Sequence, residues 1–237
     1  RFCRSLETRG FPDFKLHLAQ SLAHGTLYVN RNVDEDDSVE SYTGKIFESA
    51  MASLDQVHHS LDMSAVNRAV DLLTQAKKIA FFGLGSSAAV AHDAMNKFFR
   101  FNVPVIYSDD IVLQRMSCMN CDDDDVVVII SHTGRTKSLV ELAQLAREND
   151  AMVIALTSAG TPLAREATLA ITLDVPEDTD IYMPMVSRLA QLTVIDVLAT
   201  GFTLRRGAKF RDNLKRVKEA LKESRFDKEP FVPSDNQ

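Results

Sequence analysis

The chain has 237 residues, 45% of them apolar and 25% charged, with a formal net charge of −6 and three cysteines. That length suits one domain of ordinary to large size with appendages, and the acidic balance excludes a chain that binds polyanions over its whole surface, so any nucleic-acid contact must be local. No apolar run reaches the length of a membrane span, no signal peptide is visible, and three cysteines build no disulfide framework, which together point to the cytoplasm.

The chain starts at Arg1 without a methionine, and residues 1–23 read as the tail of something larger. Phe2, Leu6, Phe11, Phe14, Leu18 and Leu22 supply apolar anchors, and Asp13 precedes a helical run over 14–22. Arg1, Arg4, Arg9 and Lys15 outnumber Glu7 and Asp13, a balance that suits either phosphate contacts or a solvated face. Residues 24–38, with Gly25 and the acidic run 34–37, read as a linker whose acids form a solvated helix entry. Val39, Tyr42, Ile46, Ala50, Leu54 and Val57 then recur at helical spacing, predicting a long amphipathic helix that covers a sheet face or pairs with a second subunit. His58 and His59 at its end are read as surface residues. Asp62 or Ser64 caps a second helix that runs to Ala76.

Residues 78–91 combine a buried strand, a glycine turn and the opening of a helix. Ile79, Ala80, Phe81 and Phe82 show no alternation, as in a strand covered on both faces. Gly83 and Gly85 allow a sharp turn, and Ser86 and Ser87 open the helix. Two readings stand here: the serines cap the helix, or they join its free amides in binding an anion. The pattern predicts a helix over 87–101, a strand over 103–107 and a helix over 109–119. Cys118 and Cys121 form a lone CxxC, read as packing because no second ligand pair or thioredoxin-like setting accompanies it. The acidic run 122–125 reads as a solvated turn.

A second strand-loop-helix unit follows. Residues 126–130 form another uninterrupted apolar strand, ending in Ser131, His132, Thr133, Gly134, Arg135 and Thr136, and then Leu139, Leu142, Ala143 and Ala146 mark a helix. Three hydroxyls beside a glycine at such a turn make a second anion nest, and in an open parallel sheet the two loops meet at neighbouring strand ends. A strand over 151–157, a short helix from Thr161-Pro162, a strand over 167–173 and a helix over 184–204 complete the alternation, which predicts an α/β fold with a parallel sheet. Residues 205–225 read as a strongly basic helix, either solvated or touching DNA, and 226–237 as a loose tail.

The loops GLGSS and SHTGRT, with FFRFN at 98–102, QRM at 114–116 and RLAQLTVID at 188–196, resemble the sugar isomerase (SIS) domain as it occurs in RpiR-family transcription regulators. The resemblance runs from about residue 39 to 224. With five predicted strands it implies a doubly wound three-layer α/β/α sandwich of flavodoxin-like type over residues 39–225. It also implies that 1–23 is the end of a helix-turn-helix DNA-binding domain, so that operator DNA is met by a domain largely absent from this chain. The partner it implies for the SIS unit is a phosphorylated sugar or sugar acid, 2-keto-3-deoxy-6-phosphogluconate in one branch of the family, bound by a homodimer or homotetramer. Carried onto this sequence, Ser131, Thr133 and Thr136 with Gly134 would hold the phosphate, Ser86 and Ser87 the sugar-acid part, and His132 would line the pocket. Arg188, suited to bidentate carboxylate recognition, would take the carboxylate or pair structurally with Asp196 or Glu177.

No catalytic residue, metal or cofactor is expected. A nicotinamide-binding oxidoreductase has only Gly83, Gly85 and Ala88 with Asp109 or Asp110 behind it, and leaves the second loop unexplained. A sugar-phosphate isomerase needs a general base. Residues 182–188, at the start of the late helix where SIS isomerases place a glutamate, contain no carboxylate, and Glu177 lies upstream of the expected position.

Overall fold

The computed structural model describes residues 32–222. The expected helix-turn-helix remnant over 1–23, most of the 24–38 linker, the end of the basic helix and the 226–237 tail lie outside the described residues. The described elements are α1 (Val39–Ser60), α2 (Met63–Gln75), β1 (Lys78–Phe82), α3 (Ser86–Phe98), a 3-10 turn (Phe99–Phe101), β2 (Val105–Ser108), α4 (Ile111–Met119), β3 (Asp125–Ile130), α5 (Lys137–Glu148), β4 (Met152–Thr157), α6 (Pro162–Glu166), β5 (Leu169–Thr172) and α7 (Val186–Ala220).

The strands form one parallel sheet in the order β2-β1-β3-β4-β5. β3, at its centre, is buried at every position, which explains its unbroken run of valine and isoleucine. Ile79, Phe81, Val128 and Ile154 point into a core shared with α2, α3 and α7. Ala80, Phe82, Val127 and Ile129 point to the opposite face, against Leu139 and Leu142 of α5 and Leu163 of α6. Each large side chain so buried contributes about 1.5–3 kcal/mol, and the two faces together make the three-layer sandwich. At the amino ends of the strands, Lys78 pairs with the buried Asp125 at 2.6 Å. The acidic run before β3 is therefore not wholly a solvated turn, because Asp125 needs Lys78 to offset its desolvation.

The acids at the start of α1 are also engaged. Lys45 reaches Asp34 at 2.9 Å and Asp37 at 2.7 Å, and its hydrogen bond, with that of Ser41, lowers the Asp37 carboxyl to about 2. Of the 22 residues of α1 only Ser53 and Val57 are buried. Of the apolar stripe only Val57 is buried and Val39 and Tyr42 are exposed, as are Phe47 and Met51 beside it, so this helix does not cover the sheet with its full apolar stripe.

The late helices expected over 184–204 and 205–225 are two arms of α7. The break falls at Gly207, whose φ of 77° and ψ of −164° interrupt the helical hydrogen bonds. An aromatic cluster spans the break: Phe101 stacks on Phe202 at 4.9 Å, and Phe210 packs edge-on against both.

Candidate functional site

β1 and β3 are neighbours in register, with Phe82 opposite Ile129. The chain leaves β1 for β2 on one side and β3 for β4 on the other. The gap between these two strand ends is thus the switch point at which open α/β sheets bind ligands. Both hydroxyl loops emerge there.

The first loop turns through Gly85, the residue preceding α3, with φ 57° and no side-chain cap on the helix. The capping reading for Ser86 and Ser87 therefore fails: they are the first two helical residues. Their half-buried hydroxyls make no hydrogen bond among the described residues. Beneath the loop, the fully buried Gln114 donates through Nε2 to the carbonyls of Gly83 at 3.3 Å and Ser108 at 2.7 Å, tying the loop to the end of β2.

The second loop is more tightly organised. The buried Ser131 Oγ accepts from Gly134 N at 3.2 Å, so this serine shapes the loop from within. The His132 carbonyl accepts from Ser158 N at 3.0 Å and Ser158 Oγ at 2.9 Å, and its ring Nε2 lies 3.3 Å from the Glu177 carbonyl. Gly134 has φ 57°, and a Cβ there would collide with Thr157 and Thr161. Thr133 Oγ1 accepts from Arg135 N at 3.4 Å. Thr136 precedes α5 without capping it, and its exposed hydroxyl has no partner among the described residues.

The helix starts differ in a way that singles out these two loops. Ser38, Asp62, Asp110 and Thr161 cap α1, α2, α4 and α6 with their side chains. The start of α7 is closed by Glu177, whose Oε1 accepts from Met185 N at 2.7 Å and Val186 N at 2.8 Å and whose Oε2 accepts from Ser187 N at 3.1 Å. Among the described helices, only α3 and α5 begin without an acceptor from a side chain. Their positive dipole ends point out of adjacent strand ends, with Ser87 N, Ala88 N and Leu139 N donating to loop carbonyls and the first amides left uncapped, a setting that favours an anion.

Glu177 corrects the expectation that the late helix starts without a carboxylate. It lies upstream in sequence but folds back onto the first turn of α7. Burial works against its ionisation, but Ser187 and the amides of residues 185–187 outweigh burial and lower its pKa. A carboxylate held in this way is a poor general base. Asp110, one of the two acids considered for a ribose beside Asp109, caps α4 by accepting from Leu113 N at 2.9 Å.

Arg188 lies in the first turn of α7, is exposed, and makes no ion pair or hydrogen bond among the described residues. Both structural partners considered for it are committed elsewhere, Asp196 to Lys97 at 2.8 Å and Glu177 to the three amides. Arg135, in contrast, pairs with Asp180 at 2.7 Å, so the second loop holds the 174–185 segment at two points.

Two hollows flank that segment. One of about 390 Å³ is lined by Thr133, Arg135, Glu177 and Thr179 and opens beside the second loop. A larger one of about 700 Å³ lies between α1 and the segment, lined by Lys45, Gln56, Glu177, Tyr182 and Met183. The larger hollow includes none of the eight expected site residues, and the smaller only Thr133. The uncapped amides and unengaged hydroxyls lie at the strand ends, outside the larger space. Sequence reasoning missed Glu177, Gln114 and Asp180 as site-builders.

The SIS domain family model matches residues 72–201 of this chain. Over all 237 residues the chain is 91% identical to the HTH-type transcriptional regulator HexR of Escherichia coli strain K12, spanning 82% of that protein. It is 56% identical over 226 residues to the HTH-type transcriptional regulator HexR of Pseudomonas aeruginosa, covering 95% of this chain and 79% of that one. Its fold is that of the Vibrio vulnificus NanR protein solved in complex with ManNAc-6P, with a TM-score of 0.72 at 23% identity over 95% of this chain and 80% of the other.

Proposed function

Because the chain belongs to the HexR-type transcriptional regulators that carry a SIS domain, we propose that the two loops at the ends of β1 and β3 are its sensor for a phosphorylated sugar acid. The chain is a regulator of sugar metabolism and not an enzyme. The observation that carries the proposal is the pair of helices, α3 and α5, that start side by side without side-chain caps. The phosphate sits on the hydroxyls of Thr133 and Thr136 and the uncapped amides at the start of α5, beside Gly134, whose own amide donates to Ser131 and holds that loop in shape. Ser86 and Ser87 donate to the sugar-acid hydroxyls, and His132 lines the pocket. Arg188, unpaired among the described residues in the first turn of α7, takes the carboxylate. 2-Keto-3-deoxy-6-phosphogluconate carries both anionic groups and is the effector this arrangement suits best.

Effector binding changes operator affinity only if it favours one arrangement of the DNA-binding part over the other. In this reading residues 1–23 close the helix-turn-helix domain, 24–38 link it to the SIS unit over 39–225, and two or four copies assemble through the exposed stripe of α1. At a hundredfold excess over Kd, 2-keto-3-deoxy-6-phosphogluconate raises Tm by roughly 5–10 °C, while NAD leaves it unchanged. The double variant Ser87→Ala, Thr136→Val loses that shift while its unliganded Tm stays within about 2 °C. A chain whose melting ignores every phosphorylated sugar and sugar acid overturns the reading.

A further inference from the structure

Positive charge is unevenly placed in this protein. Residues 205–222 hold eight of its 27 basic residues and two of its 33 acids, a net charge of +6 on one stretch against −12 for the rest. Most cations elsewhere in the described fold are paired, as Lys45, Lys77, Lys78, Lys97, Arg115 and Arg135 are. Before the break in α7 the same holds: Arg205 pairs with Asp71, and Arg206 lies 5.1 Å over the Phe202 ring. Beyond Gly207 it stops holding. Arg216, Lys218 and Lys222 are exposed and have no partner among the described residues, and Lys215 meets only Asp212 within its own helix at 3.5 Å.

The geometry of this arm suits a polyanion. Phe210 and Leu214 pack inward against the core, which directs the opposite face outward. Lys215 and Lys218, with Lys222 just past the end of α7, form a stripe that flanks the packed face, Lys218 lying one turn on from Leu214. Between Lys215 and Lys222 the helix rises about 10 Å, a distance over which one strand of duplex DNA presents roughly three phosphates. The chain belongs to a family of HTH-type regulators, so the polyanion it meets at work is its own DNA.

We propose that the arm of α7 beyond Gly207 is an auxiliary contact surface for the phosphates of duplex DNA, independent of base sequence. It rests on the assignment as a DNA-binding regulator but not on the sugar-acid site. The arm supplies affinity and salt dependence, and sequence is read elsewhere.

The test is fluorescence anisotropy of a labelled non-operator duplex with this 237-residue chain, titrated across a KCl series. The variant Lys215→Gln, Arg216→Gln, Lys218→Gln, Lys222→Gln is compared with the charge-keeping variant in which the three lysines become arginine. The expected result is that the glutamine variant, with unchanged Tm, lowers the slope of log K against log salt by about 3 units, while the arginine variant keeps the parent slope. Equal slopes for parent and glutamine variant overturn the proposal, as does a parent chain that does not bind the duplex at low salt. A missing melting shift with sugar acids leaves these slopes untouched, so failure of the sensor and failure of the arm are separate results.

Discussion

One carboxylate organises the start of α7. Glu177 gathers three backbone amides while its own carbonyl faces His132. Glu177→Ala is expected to lower stability by about 2 kcal/mol, read from urea unfolding at pH 7, since loss of a helix cap costs up to that amount. The carboxyl's pKa is lower folded than unfolded, so its contribution is full above the unfolded value near 4.3 and is lost as pH falls through the folded value. Glu177→Gln should therefore show a shallower loss of stability than the parent between about pH 5 and pH 3, and parallel curves would refute that. Burial pushes the Cys118 thiol up to about 12, which makes the CxxC pair a packing feature: native protein treated with iodoacetamide at pH 8 should keep Cys118 unmodified. The hydroxyls of Ser86, Ser87 and Thr136 were legible in the sequence because strand-glycine-helix spacing fixes where a helix begins. Glu177 was not, because a cap delivered from outside the helix leaves no local periodicity.

Element boundaries follow the same logic. β1 and β3 were readable as fully covered strands because nothing in their apolar runs alternates, and each is buried on both faces. The sequence divides α7 near Arg205, where its composition changes from apolar to basic. The backbone instead breaks at Gly207, where a left-handed residue is tolerated without a Cβ. Open space surrounds that position, so Gly207→Ala meets only backbone strain, which for φ 77° with ψ −164° should cost about 1–3 kcal/mol. Gly134→Ala faces both a positive φ and the Thr157 and Thr161 side chains. It should cost at least 2 kcal/mol in denaturant unfolding and abolish any melting shift from phosphorylated sugar acids. Equal costs for the two substitutions would mean that packing around the second loop is looser than described.

At the scale of the whole molecule, alternation of strand and helix specified the layers, and the two hydroxyl-bearing turns fall together at one end of the sheet. Surfaces that meet other chains leave a weaker trace. The stripe of α1 reads in the sequence as covering a sheet face or pairing with a second subunit; only Val57 of it is buried, and Phe47 and Met51 beside it face outward. Replacing both with aspartate should shift this chain to a smaller species in analytical ultracentrifugation with its Tm within about 3 °C of the parent; an unchanged mass would remove α1 from the assembly. The aromatic cluster at the break in α7 has a mechanical consequence. α3 presents Ser86 and Ser87 at one end and Phe98 at the other, and Phe98 touches both Phe101 and Phe202, on which Phe210 rests. Packed contacts therefore run unbroken from the first hydroxyl loop, about 20 Å along α3 by helix rise, through the rings to the root of the cationic arm.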